Sequence, residues 1–215
     1  MAPKLNHRTI EPKQIKNAVI FLHGYGANGN DLIEIGNIWK KKFSNTLFLS
    51  PDAPFSCPWG GNSFQWFELT SIAPEKIGEG LKLAGPHLNQ YVDFITKEYE
   101  LSNEKILFVG FSQGTMMGLY HLCKRKKKCA GLIGYSGLLY EDDNFEKEIN
   151  SKFPITLYHG KIDEVINYNF TLKAHERLKL LGFDIDYNLS ESLGHGIDER
   201  GLTFGENFIK EKFYV

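Results

Sequence analysis

The chain has 215 residues, of which 42% are hydrophobic and 13% aromatic, enough for one α/β domain over 1–215 with a sizeable core. Its 25 basic and 26 acidic side chains leave a net charge of −1, which gives no global field for nucleic acid or an acidic membrane surface. Three cysteines without a CxxC pair argue against a disulfide framework and a zinc site; with no apolar run near roughly 18 residues and no signal-like stretch over 1–13, they predict a soluble, cytoplasmic protein without metal or cofactor.

A β-rich apolar run predicts a first strand over 18–22, followed by a glycine-dense loop from His23 to Gly29 and a helix over 31–42. A second strand is expected over 46–50. The irregular stretch 51–77 then carries Phe55, Trp59, Phe64, Trp66 and Phe67, aromatics that could line an apolar pocket or plug the sheet edge. Leu88, Tyr91, Val92, Ile95 and Tyr99 share one helical face, with Pro86 suited to the first turn of that helix. Strands are predicted over 106–111, 131–136 and 155–159, helices over 113–124, 168–181 and 198–212, and a last strand from the alternation Phe183, Ile185, Tyr187, Leu189. Strand and helix alternate, and the middle strands are apolar throughout, as parallel strands covered on both faces must be. The pattern is a three-layer α/β sandwich with a mostly parallel central sheet.

Chemistry concentrates at strand ends. Gly110-Phe111-Ser112-Gln113-Gly114 falls between a predicted strand and a predicted helix, the setting of a nucleophile elbow, in which a strained turn projects the serine hydroxyl from the carboxyl edge of the sheet. Ser136, in Gly134-Tyr135-Ser136-Gly137, is the rival serine but lacks the second glycine of the motif. A serine hydroxyl needs a general base and an acid that orients it, arriving in the order Ser, acid, His. The loop after 155–159 supplies Asp163, preferred over Glu164 because the shorter side chain has less freedom to lose. Gly194-His195-Gly196 supplies the base. His159 reads as a buried hydrogen-bonding residue, and His7, His23, His87, His121 and His175 lie outside the required loops. The loop His23-Gly24-Tyr25-Gly26 offers an amide, at Tyr25, to pair with that of Gln113 as an oxyanion hole. A phosphate-cradling role for this loop is the alternative, weakened by the absence of a following Lys-Ser/Thr. The run Lys124 to Lys128 is expected to be a solvated helix end.

Phe21-Leu22-His23-Gly24-Tyr25-Gly26, Ser50-Pro51-Asp52-Ala53-Pro54, Gln65-Trp66-Phe67-Glu68, the elbow, the segment His159 to Val165 and Gly194-His195-Gly196 together resemble the phospholipase/carboxylesterase family of α/β-hydrolases, which includes acyl-protein thioesterases and small bacterial carboxylesterases. The resemblance runs from Ala18 to Ile209. It implies the α/β-hydrolase fold, Ser112 as nucleophile, Asp163 as orienting acid, His195 as base, the Tyr25 and Gln113 amides as oxyanion hole, and Trp66 on the substrate side. It also implies hydrolysis of a small-molecule ester or acyl-thioester, while the lack of a membrane-length apolar run argues against integral membrane association. Tyr25 stands where the family often has Leu, and Asn167 where a Pro is common. The same triad would also suit an acyltransferase, and an idle binding module of the same fold is the reading from another class.

Overall fold

The computed structural model describes residues 5–69 and 73–214. Within them the main sheet has seven strands: β1 (His7–Ile10), β2 (Asn17–Leu22), β3 (Thr46–Pro51), β6 (Ile106–Phe111), β7 (Gly131–Tyr135), β8 (Ile155–Gly160) and β9 (Ile185–Ser190). A two-stranded hairpin, β4 (Phe55–Ser56) with β5 (Phe64–Gln65), stands apart. The sheet order is β1-β3-β2-β6-β7-β8-β9; β1 runs antiparallel to β3 and every other pair is parallel. Helices α1 (Gly29–Trp39), α2 (Pro74–Glu98), α3 (Gln113–His121), α4 (Asn169–Leu180) and α5 (Glu199–Tyr214) complete the architecture.

Strand alternation divides the core. Val19 and Phe21 of β2 pack with Leu32, Ile35 and Trp39 of α1 and Ile209 of α5, whereas Ala18, Ile20 and Leu22 pack with residues of α2, α3 and α4. All six residues of β2 and all six of β3 are buried, which is why these strands read as continuous apolar runs. Each fully buried aliphatic side chain contributes roughly 1.5–3 kcal/mol, so the two faces lock the sheet in place.

The predicted strands all form, with the last shifted to β9. Several boundaries move for identifiable reasons. The first helix starts at Gly29 because Asn28 and Asp31 close a capping box across its first turn. The helix expected to begin near Pro86 begins instead at Pro74, and Pro86 lies inside it. That proline removes one amide from the helical ladder, yet Ile77, Leu81, Ala84 and Leu88 extend the buried stripe through it and outweigh the loss. The elbow helix ends at His121 and tightens into a 3₁₀ turn over Leu122–Lys124, so the basic run begins where the helical segment ends and continues as a loop. Lys124 pairs with Glu148, and Arg125 pairs with Asp93 of α2. β1 and the β4–β5 hairpin lie where no strand is expected, the hairpin inside the segment 51–77. Residues 70–72 of that segment lie outside the described residues.

One feature of the topology places the site. From β2 the chain moves outward to β3, then returns across β2 to add β6 on its other side. Leu22 lies opposite Gly110, so the loops leaving the carboxyl ends of β2 and β6 start side by side. The crevice at such a reversal is where open α/β sheets bind ligands.

Candidate active site

Ser112 occupies the turn between β6 and α3 with φ 52° and ψ −113°, a left-handed conformation that costs a non-glycine residue of order 1–3 kcal/mol. The glycines on either side make the turn possible. A Cβ at Gly114 would meet the Leu22 carbonyl oxygen at 1.8 Å, and one at Gly110 would meet the Thr115 amide nitrogen at 2.6 Å. The strain is held by the Ser112 amide donating to the Tyr135 carbonyl at 2.9 Å and by Thr115 and Met116 donating to the Ser112 carbonyl.

The Ser112 hydroxyl lies 3.0 Å from Nε2 of His195, whose Nδ1 lies 2.7 Å from Oδ2 of Asp163. An ionised carboxylate only accepts, so Nδ1 carries the ring proton and Nε2 offers a lone pair to the serine. The Asp163 side chain is fully buried and accepts from the amides of Val165 (2.8 Å) and Ile166 (2.9 Å) at Oδ1. Burial pushes this carboxyl up, but the Ile166 amide, the His195 ring and the Val165 amide together hold it below its ordinary value, so it stays charged. Phe111 packs against the His195 ring at 5.0 Å between centroids. The rival residues fall away on geometry. Glu164 is exposed, and the Ser136 hydroxyl points at the Gly196 carbonyl at 3.4 Å.

The other side of Ser112 is the loop after β2. A Cβ at Gly24 would lie 3.4 Å from that of Ser112, so this loop abuts the serine. Among the described residues, neither the Tyr25 amide nor the Gln113 amide has an acceptor, and Gln113 opens α3, where the helix dipole is positive. Two free N–H groups beside a serine hydroxyl can receive a developing negative charge.

Trp66 lies enclosed behind the loop after β2. Its side chain has no exposed surface, its Nε1 donates to the His23 carbonyl at 3.0 Å, and its amide donates to Oε1 of Gln113 at 2.8 Å. It braces the loop from behind, which favours the plug of the sheet edge over a wall for substrate. Nε2 of the Gln113 side chain donates to the Phe67 carbonyl at 2.8 Å, and Gly26 and Ala27 exchange main-chain bonds with Phe64 of β5. Sequence reasoning used only the amide of Gln113 and passed over His23. The His23 ring accepts from the Ala53 amide at Nε2, so Nδ1 donates to the Gly24 carbonyl at 2.7 Å; burial lowers its basicity and keeps it neutral. Position next to the glycine loop was the one available signal for it.

Apolar groups lie near the loops that carry these residues. A cavity of about 300 Å³ lies between α1 and the His195 loop, lined by residues that include Gly24, Leu32, Ile35, Phe111 and Ile197. Trp59, packed edge-on against Tyr25, and Ile162 and Val165 beside Asp163 are each about 60% exposed. Neither the cavity of about 300 Å³ nor a larger one of about 690 Å³ beside Lys126 to Lys128 is lined by Ser112, Asp163 or His195. No helix among the described residues is long and apolar enough to cross a membrane.

A family model described as phospholipase/carboxylesterase matches residues 6–213. Acyl-protein thioesterase 1 of Neurospora crassa is 29% identical over 210 residues, covering 90% of this chain and 86% of that protein. The Escherichia coli esterase YpfH is 26% identical over 200 residues, covering 92% and 84%. Among solved structures, that of esterase PE8 superposes with a TM-score of 0.94 at 32% identity, covering 98% of this chain and all of that one.

Proposed function

Because the chain belongs to the phospholipase/carboxylesterase family, we propose that Ser112, His195 and Asp163 hydrolyse carboxylic esters and thioesters through an acyl-enzyme. Ser112 Oγ attacks the acyl carbonyl as Nε2 of His195 takes its proton. The buried Asp163 carboxylate stabilises the imidazolium and keeps the proton of Nδ1 facing it. Charge that builds on the carbonyl oxygen is met by the amides of Tyr25 and Gln113. As the tetrahedral species collapses, His195 returns the proton to the departing alcohol or thiol. Water, deprotonated by the same nitrogen, then releases the acid and frees Ser112.

The observation that carries this reading is the continuous chain of short contacts from Ser112 through His195 to a buried, ionised Asp163. The exposed apolar rim of Trp59, Ile162 and Val165 supports acyl groups over charged substrates, and the relatives named esterase and acyl-protein thioesterase support ester and thioester alike. The test is hydrolysis of a p-nitrophenyl ester and a palmitoyl-thioester peptide by wild type and Ser112→Ala. The variant should keep its fold and lose about 10⁴-fold or more in kcat, because the triad acts as a unit. Unchanged turnover in Ser112→Ala would exclude this serine.

A further inference from the structure

Asp163 has a fourth donor that the mechanism above does not use. Oδ2, which faces His195, also lies 3.1 Å from Nε2 of His159. The same nitrogen lies 2.8 Å from the Ile166 carbonyl, and Nδ1 lies 2.7 Å from the Thr171 hydroxyl of α4. Both neighbours of Nε2 are acceptors, so that nitrogen carries the ring proton and shares it between them; Nδ1 then accepts from Thr171. The ring has no exposed surface, and burial lowers its basicity, so it is neutral.

We infer that His159 is a positioning residue, which fixes Oδ2 of Asp163 toward His195 by tying the carboxylate to β8 and α4. Asp163 sits on a loop whose neighbours Ile162, Glu164 and Val165 are exposed. The two amides at Oδ1 hold one end of the carboxylate. Among the described residues Oδ2 has, besides His159, only His195, which itself sits between two glycines and which Asp163 is supposed to orient. His195 alone therefore gives Oδ2 no reference outside the pair. His159 supplies the external reference, since its backbone is the fifth residue of a buried strand, registered against Leu189 of β9. A satisfied core histidine would need only Ile166 and Thr171; the contact with the charged oxygen is what a purely structural role leaves unexplained. A misplacement of about 1 Å at a reacting group can cost about 100-fold in rate, so a positioning residue of this kind matters for turnover.

The inference rests on the triad reading, and the experiment separates the two. Wild type and Ser112→Ala establish the nucleophile in the same assay that compares His159→Gln with His159→Asn. In His159→Gln the amide nitrogen stands at the place of Nε2 and can donate to Asp163, while the Thr171 contact is lost. In His159→Asn the amide reaches only the place of Nδ1, keeping Thr171 and losing Asp163. Positioning predicts that Gln retains kcat within about three-fold, and that Asn loses roughly ten- to hundred-fold in kcat with KM within two-fold. Equal losses in the two variants, a smaller loss in Asn than in Gln, or a loss confined to KM would overturn it. Nitrogen-15 spectra of the wild type give a readout that needs no variant at this position: a neutral ring with its proton on Nε2 at pH 7 is expected, and a charged ring or a proton on Nδ1 would overturn the inference.

Discussion

On the His195 side of Ser112 the polar contacts converge on one buried charge, Asp163, which accepts from two amides and two histidines. On the Tyr25 side they are made mostly by main-chain groups. The β2 loop, β5 and Gln113 exchange uncharged hydrogen bonds, with Trp66 filling the space behind. The first side is built around one buried charge on a loop, and the second is a piece of core that leaves two amides unspent. The two should therefore fail differently. Damage near Asp163 should remove chemistry and leave the fold, whereas damage near Trp66 should cost stability and affect all substrates together.

The largest expected effect is on the charged side. Asp163→Asn keeps the volume and one acceptor for the Val165 and Ile166 amides, but its NH₂ would face His195 and favour the wrong tautomer. We expect kcat to fall by about 10³–10⁴-fold with little change in melting temperature. Steady-state kinetics with thermal melts check this, and a large fall in melting temperature would merge the two sides. Next is Trp66→Ala, which empties a fully buried site and orphans the His23 carbonyl. A destabilisation of about 3–5 kcal/mol is expected, with equal proportional losses on acetyl and octanoyl esters. A stable variant that loses only the octanoyl ester would restore Trp66 as a pocket wall.

The third effect is smaller and couples both sides to pH. Burial lowers the basicity of His23, of His159 and of His121, the last to about 4. In the unfolded chain these rings take up protons near pH 6.5, so stability is full above that value and is lost as the pH falls toward 4. His121 alone should account for about 2 kcal/mol by pH 4.5, and His121→Gln should flatten the dependence of melting temperature on pH over 6.5–4.5. Asp163 contributes in the opposite range: its lowered value gives stability that is complete above the ordinary carboxylate range and lost only as the pH falls below about 4. An acid transition confined below pH 4 would contradict the histidine account.

The charged side was the more legible in sequence. Gly110 and Gly114 announce the elbow because no side chain fits beside Leu22 and Thr115, and Asp163 and His195, both expected in loops after strands, are in hydrogen-bond contact in a chain that reaches Ser112. The aromatic segment was not legible. Phe64, Trp66 and Phe67 suit a pocket or a plug equally well, and the choice is made by His23 and Gln113, 43 and 47 residues from Trp66. Thr171 has no local signal as the partner of His159, since only the packing of α4 on β8 brings them together. β1 is four residues of half-exposed edge whose stability comes from pairing with β3. Pro86 masked the first half of α2, although the apolar spacing before it already had the helical period.

Ser112, and no other residue, should become covalently acylated. The direct measurement is reaction of the wild-type protein with a fluorophosphonate, followed by intact-mass and peptide analysis. The account predicts one equivalent of phosphonyl group, located on Ser112, with labelling abolished in Ser112→Ala and strongly slowed in Asp163→Asn. A label on Ser136 or any other residue, or no label on a protein that still hydrolyses esters, would contradict it.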